Sequence, residues 1–121
     1  DEESESKRVI EQVFQSAGLK VPALKEVLGG LKIDNARAQR LVTLLLREKT
    51  LIKLNEDLVF HREALERLRE TMKQQKLKVA RMDVARFKDL TGVTRKYAIP
   101  LLEYLDREHI TRRVGDERVI L

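Results

Sequence analysis

The order of predicted elements occurs twice in this chain, and the repetition restricts the fold more than any single motif. Three helical patterns are followed by a hairpin pattern, and the same order then returns. Three helices and a hairpin in this order are typical of a winged helix-turn-helix. A period of roughly 60 residues is too long for the repeats of a solenoid. We therefore predict a mainly α chain with small β-hairpin wings (α+β), built from two tandem winged helix-turn-helix domains, 1–61 and 62–121.

Apolar spacing and turn residues define the first copy. Apolar residues recur at helical intervals over 6–17, and Pro22 suits the first position of a short second helix. Asp34 or Asn35 then caps a third helix, whose apolar residues recur at three and four positions and describe one buried stripe. A hairpin with its turn at 55–57 completes the unit.

The second copy begins with a helix from Arg62, which serves both as a tether and as the first helix of the next unit. A short strand over 79–82 follows, and Asp83 is placed to cap the next helix. Gly92 ends that helix, because glycine adopts the left-handed conformation of a helix end at little cost. Thr94 then caps the last helix, since its hydroxyl can accept amides of the first turn.

Several basic residues lie at positions where a positive charge destabilises the local helix or hairpin. Arg95 and Lys96 follow the capping threonine, so two cations face the positive end of the helix dipole at a cost of about 0.3 to 1 kcal/mol each. If residues 115–116 form a two-residue turn, Arg113 faces Arg118 across the hairpin, and this like-charge pair destabilises the sheet. An external anion relieves both conflicts. We therefore expect these cations, together with Arg112, to meet at one surface that binds a phosphate backbone.

The net charge of +5 is unevenly distributed. Residues 1–70 contain equal numbers of basic and acidic side chains, so the whole excess lies in residues 71–121. A polyanion is expected to bind there, although a basic face kept for solubility is the alternative.

Alignment of the two copies shows which one carries the cations. VPALKEVLGG at 21–30 aligns with VARFKDLTGV at 84–93, and the offset of 63 becomes 59 after the turn. The basic positions and their counterparts are Arg95 on Ala36, Lys96 on Arg37, Arg113 on Leu54 and Arg118 on Val59. Because the first copy lacks most of the basic residues, we expect it to be a spacer or to contact a partner.

The run TRKYAIPLLEYLD, followed by TRRVGDERV, resembles the last winged-helix domain of bacterial selenocysteine-specific elongation factors (SelB), over residues 84–121. In that family the domain binds the SECIS hairpin of selenoprotein mRNA, which recodes UGA, and an amino-terminal GTPase carries selenocysteinyl-tRNA. The resemblance implies contact with the hairpin backbone and its looped-out bases at the start of the last helix and at the wing. The implied RNA-binding residues are Thr94, Arg95, Lys96, Tyr97, Arg112, Arg113 and Arg118.

Three further expectations concern this surface and its partners. Arg86 and Lys88 either flank it or are solvated, and Tyr97 either stacks on a flipped-out base or closes the core. The resemblance implies an mRNA hairpin as direct partner, and the ribosome and selenocysteinyl-tRNA as partners of the parent protein. No cofactor is expected in this segment, since GTP and magnesium would belong to the GTPase domain. We expect a cytoplasmic monomer.

The composition of the last helix bears on how it would meet nucleic acid. Between its basic start and an acidic end lies a mostly apolar stretch that contains Pro100. A helix lying along a DNA major groove needs a polar flank, so this one is expected to meet nucleic acid end-on, as suits structured RNA. A proline in a helix interior costs about 3 kcal/mol unless the helix bends. A protein-interaction module and a DNA-binding regulator remain the alternatives.

Other functional classes find little support. The chain has no cysteine, which excludes disulfides, a thiol nucleophile and sulfur-ligated zinc. His61 and His109 lack ligand-spaced neighbours and are expected to be surface or hydrogen-bonded histidines, so no metal site and no enzyme is predicted. No apolar run reaches the roughly 20 residues that span a bilayer. The absence of an initiating methionine suggests a fragment of a longer protein.

Overall fold

The computed structural model describes residues 1–121 and is mainly helical, with two small antiparallel sheets, as predicted. The chain divides into two compact units, Asp1–Ala64 and Leu65–Leu121. The elements are α1 (Glu2–Ala17), α2 (Leu24–Gly29), α3 (Asn35–Arg47), β1 (Leu51–Lys53), β2 (Val59–His61), α4 (Arg62–Lys76), β3 (Arg81–Asp83), α5 (Val84–Thr91), α6 (Arg95–Arg107), β4 (Thr111–Val114) and β5 (Glu117–Ile120). None of the helices is long and apolar enough to cross a membrane.

The first unit packs α1 and α3 around one apolar core that the β1–β2 hairpin closes. The predicted stripe of α3 is confirmed, because Ala38, Val42 and Leu45 are buried. Phe14 of α1 and Phe60 of β2 are fully buried as well. Apolar burial of this kind is worth about 1.5 to 3 kcal/mol for each large side chain.

Two helix boundaries in the first unit differ from prediction. α1 begins at Glu2 rather than at residue 6, because the carboxylate of Asp1 accepts the Ser4 amide at 2.8 Å and three glutamates follow in the first turn. Acidic side chains there are favoured by the helix dipole. The short helix α2 begins two residues after Pro22, so the proline precedes the helix instead of opening it.

His61 is a buried, hydrogen-bonded residue of the first unit, one of the two alternatives expected. Its Nδ1 accepts the Glu63 amide at 3.1 Å, which leaves the proton on Nε2 to be donated to Glu11 at 3.0 Å. Both ring nitrogens are therefore satisfied within the fold, and α1 is tied to the end of β2.

The second unit adds a strand to its hairpin. β3 pairs with β5, and β5 pairs with β4, so the sheet order is β3-β5-β4. The strand predicted at 79–82 lies at Arg81–Asp83 instead. Asp83 caps α5 as predicted, since its carboxylate accepts the Arg86 amide at 2.8 Å, and Gly92 ends α5 with a φ of 75°.

The last helix, α6, supplies much of the second core. Leu101, Leu102 and Leu105 are buried, and the helix continues unbroken past Pro100 to Arg107. The proline still removes one helical hydrogen bond, because it has no amide proton to donate to the carbonyl four residues earlier.

α4 contacts α6 through a polar group of three side chains. The Arg69 guanidinium donates to the Tyr104 hydroxyl at 3.2 Å and also pairs with Glu108. The hydrogen bond to Tyr104, reinforced by Glu108, raises the pKa of Arg69 above its usual value. This contact orders the carboxyl end of α6 against α4.

Candidate nucleic-acid interface

The start of α6 differs from the other capped helices. α1, α3 and α5 each follow an aspartate whose carboxylate accepts an amide of the first turn. Thr94 occupies the same position before α6, but its side chain makes no cap hydrogen bond. The prediction that the Thr94 hydroxyl satisfies these amides is therefore wrong, because Tyr97 and Ala98 donate to the Thr94 carbonyl instead. The amino end of α6 has no carboxylate at its cap position and can accept an external anion.

The two cations that open α6 are exposed to solvent. Neither Arg95 nor Lys96 forms an ion pair within the protein. The ammonium of Lys96 lies 5.4 Å from the centroid of the Tyr97 ring, and that ring is half-buried. Tyr97 thus combines a partly buried ring with a cation above it, and stacking of this ring on a base stays a prediction.

The register of the wing is the predicted one. Gly115 has a φ of 63° and forms the turn with Asp116, and Arg113 lies opposite Arg118. Successive residues of a strand point to opposite faces of the sheet. Met82, Arg118 and Arg113 are cross-strand neighbours on one face of the sheet. Met82 and Arg118 are buried there, and Arg113 at the sheet edge is exposed.

Arg112 belongs to the opposite face. It is the cross-strand partner of Val119, which in turn pairs with Arg81 of β3. The expectation that Arg112 joins Arg113 and Arg118 at one surface is therefore wrong, because neighbouring strand residues alternate between faces.

Arg118 is buried and already paired with a carboxylate. Its residue is 5% exposed, and its guanidinium donates to Oδ2 of Asp106 from Nη2 at 3.0 Å and from Nε at 3.3 Å. The expectation that an external anion neutralises Arg118 is contradicted, because an internal carboxylate already does so. The predicted repulsion between Arg113 and Arg118 is relieved by the same carboxylate.

A groove runs between the exposed side of α6, the wing and the start of α5. It encloses about 500 Å³ and is lined by Asp83, Val84, Ala85, Arg95, Ile99, Glu103, Arg113, Asp116 and Arg118. The structure thus brings Arg95 and Arg113, which are distant in sequence, to one concave surface. Because Ile99 and Glu103 follow Arg95 at intervals of one helical turn, they form the α6 wall of this groove.

The remaining predicted residues lie outside the groove. Arg86 and Lys88 are exposed on α5, while Thr94 and Lys96 are exposed at the entrance to α6. No cluster of histidine and carboxylate side chains is arranged to hold a metal ion. The groove itself holds three carboxylates beside its three arginines. An anion is therefore best held at the entrance to α6, by Arg95, Lys96 and the free amides of the first turn.

Sequence reasoning missed three groove residues, Ile99, Glu103 and Asp116, and Asp106 of α6, which pairs with Arg118. The helical spacing of Ile99 and Glu103 from Arg95 is visible in the sequence. The partnership of Asp106 with Arg118 is not, because it depends on how the hairpin folds back on α6.

Comparisons with known proteins agree with this arrangement. Residues 74–120 match the family model of the elongation factor SelB winged helix. A selenocysteine-specific elongation factor of Desulfomicrobium baculatum is 34% identical to the chain over 119 residues, which cover 98% of the chain and 19% of that protein. The chain therefore spans about a fifth of that relative's length.

Two solved structures have the same fold. The mRNA-binding domain of elongation factor SelB from E. coli, in complex with SECIS RNA, superposes with a TM-score of 0.76 at 21% identity, covering 97% of this chain and 98% of that one. A bacterial selenocysteine-specific elongation factor, EF-Sec, gives a TM-score of 0.77 at 27% identity, covering 97% of this chain and 18% of that one. With a family match over residues 74–120 and a relative aligned along nearly the whole of this chain, the chain is similar to the winged-helix region of the SelB elongation factors.

Proposed function

We propose that the chain binds the SECIS hairpin of selenoprotein mRNA, as part of an elongation factor that delivers selenocysteinyl-tRNA to UGA codons. The observation that supports this most is the groove in which Arg95, at the uncapped start of α6, faces Arg113 of the wing. The kind of RNA is inferred from a structural relative, which is an mRNA-binding domain in complex with SECIS RNA. The chemistry of the groove supplies the means of binding.

The proposed contact is end-on. The free amides of α6, together with Arg95 and Lys96, hold the RNA backbone, and Arg113 holds it from the wing. Charge-assisted hydrogen bonds of this kind are about twice as strong as neutral ones. The major groove of A-form RNA is too narrow for a helix, so backbone contacts and unstacked loop bases must identify the hairpin. Tyr97 is the side chain in this region that could stack on such a base.

We further propose that the two compact units are tandem winged-helix domains with different roles. The second, from α4 onward, binds RNA, and the first acts as a spacer or contacts a partner. The ribosome and selenocysteinyl-tRNA are engaged by the parent protein, in the cytoplasm. This segment binds RNA as a monomer and without a cofactor, and it is a binding module rather than an enzyme.

The test is a titration of the chain with a SECIS-type hairpin, a duplex DNA of equal length and a hairpin with a scrambled loop, each at four salt concentrations. We expect the SECIS-type hairpin to bind most tightly, with a log–log salt slope of about −0.7 to −0.9 for each phosphate contact. Equal affinity for the duplex DNA would support a DNA-binding regulator. Absence of any salt-dependent binding would instead support a protein-interaction module and contradict the proposal.

A further inference from the structure

We propose that Asp106, acting through Arg118, is a positioning residue that holds the wing so that Arg113 faces Arg95 across the groove. The inference rests on the proposed RNA-binding function and adds a residue to it. Asp106 lies near the carboxyl end of α6, two to three helical turns beyond the predicted RNA contacts. It touches no surface that RNA is proposed to occupy, so its effect must pass through the wing.

Asp106 holds both strands of the hairpin at once. One carboxylate oxygen accepts the hydroxyl of Thr111 on β4 at 2.6 Å, and the other accepts the guanidinium of Arg118 on β5 at 3.0 and 3.3 Å. Thr111 is 2% exposed and Arg118 is 5% exposed, while the Asp106 side chain is 26% exposed, so these contacts are largely shielded from solvent. A shielded, charge-assisted, two-point contact restricts orientation more than an apolar contact does.

The contact of Asp106 with Arg118 also restricts the position of Arg113 in the groove, because the two arginines are paired across the hairpin. Arg118 is the cross-strand partner of Arg113, and both residues point to the same face of the sheet. Arg113 also donates from Nε to the Gly115 carbonyl at 3.0 Å, which ties its side chain to the turn. Fixing Arg118 against α6 therefore fixes the strand and turn from which Arg113 reaches the groove that Arg95 lines.

The first unit shows that a wing of this fold forms without such a pair. When α3 and α6 are matched by their caps and bounds, Leu46 stands at the position of Asp106. In the hairpins Val59, which is 0% exposed, stands at the position of Arg118. An apolar residue thus fills the place of the buried cation. A buried ion pair is often no more stabilising than apolar residues of similar volume, so fold stability alone does not account for the pair in the second unit. Directional positioning of the wing does.

The test separates position from stability by replacing both partners. The double variant Asp106→Leu/Arg118→Met is made together with Thr111→Val, so that the charges disappear together and no buried hydroxyl loses its acceptor. We expect an unchanged or higher urea midpoint and larger backbone motion at residues 113–117 in NMR relaxation of the free protein. SECIS-hairpin affinity should fall about threefold, the same loss that Arg113→Ala causes in the wild-type protein. Adding Arg113→Ala should cost nothing further in this background, although it weakens binding in the wild-type protein.

Two results would overturn the inference. One is a wing as rigid in the triple variant as in the wild type, which can be measured whether or not the protein binds RNA. The other is an Arg113→Ala effect of equal size in both backgrounds, which would make Asp106 and Arg113 independent. Glu108→Gln is the matched control, because it removes an α6 ion pair with Arg69 away from the hairpin and should leave affinity unchanged. If the wild type binds no hairpin, the proposed function fails, and wing motion alone then decides the positioning role.

Discussion

The helices α3 of the first unit and α6 of the second both carry basic side chains in their first turn, but only the first unit neutralises its cation with an internal carboxylate. Arg37 near the start of α3 donates from Nε to Glu3 at 2.9 Å, and this hydrogen bond raises the pKa of Arg37. The carboxylate of Asp34 caps the same helix. At the corresponding place in the second unit, Arg95 and Lys96 have no carboxylate partner and Thr94 provides no side-chain cap. One fold thus presents a satisfied helix start and an open one.

The wings differ in the same sense. The turn of the first wing carries two acidic residues, Glu56 and Asp57, and Lys53 lies 3.6 Å from Glu56. The second wing places Arg113 in the groove beside Arg95. Both wing tips carry carboxylates, since the second contains Asp116. The difference is that Lys53 pairs with Glu56, whereas Arg113 has no carboxylate partner. This difference in charge placement supports the proposal that the second unit binds RNA.

The largest expected effect comes from removing the open cation. Arg95→Ala should weaken SECIS-hairpin binding about tenfold or more, because a hydrogen bond to a charged group is worth about 1.5 to 3 kcal/mol. The salt slope should fall by about 0.7 to 0.9, as expected for one lost phosphate contact. Arg37→Ala is the matched control in the first unit and should leave both quantities unchanged. Equal losses of hairpin affinity from the two variants would contradict the proposal that only the second unit binds RNA.

A second variant turns the open helix start into a satisfied one. Thr94→Asp supplies the carboxylate that α3 and α5 already have, so it should raise the thermal midpoint slightly through capping and the helix dipole. The same carboxylate repels phosphate and competes for the amides, so hairpin affinity should fall about fivefold. Stability and affinity therefore move in opposite directions. A rise in both, measured by calorimetry and by fluorescence titration, would show that the start of α6 does not touch RNA.

A third comparison lies within the wing itself. Arg113 and Arg112 are neighbours in sequence but lie on opposite faces of the sheet. Arg113→Ala should weaken hairpin binding about threefold, since an exposed charge pair contributes up to about 1 kcal/mol. Arg112→Ala removes an equal charge from the outer face and should change affinity less than twofold. A larger loss from Arg112→Ala in a filter-binding assay would place RNA on the outer face.

Local signals made much of this fold predictable. Asp83 caps α5 and Gly92 ends it as predicted, because capping and left-handed geometry involve residues within one turn of each other. The Gly115-Asp116 turn fixed the wing register for the same reason. The alternation of side chains along a strand also places Arg112 and Arg113 on opposite faces, and this is a local signal that the sequence contains.

Contacts between distant residues were not predictable from the sequence. The position of β3 follows from its pairing with β5, whose partner residues lie more than 30 positions away, and not from the apolar run at 79–82. Arg118 was expected to be exposed because its charge and its cross-strand neighbour favour solvent. Its burial depends on Asp106, which reaches it only when the hairpin packs on α6. The open start of α6 also depends on an absence of carboxylates that only the folded unit reveals.

The smallest expected effect is also the most direct test of charge placement. Ala36→Arg adds a cation at the second position of α3, where α6 has Lys96, and so gives α3 a basic pair in its first turn. Binding of the SECIS hairpin should change less than twofold, because Glu2 and Glu3 already occupy the neighbouring Arg37 and the wing tip is acidic. Removing those carboxylates as well, in Ala36→Arg/Glu2→Gln/Glu3→Gln, should add a weak, loop-independent RNA affinity with a steeper salt slope. A strong gain from Ala36→Arg alone would mean that the number of cations, rather than their freedom from internal partners, decides which unit binds RNA.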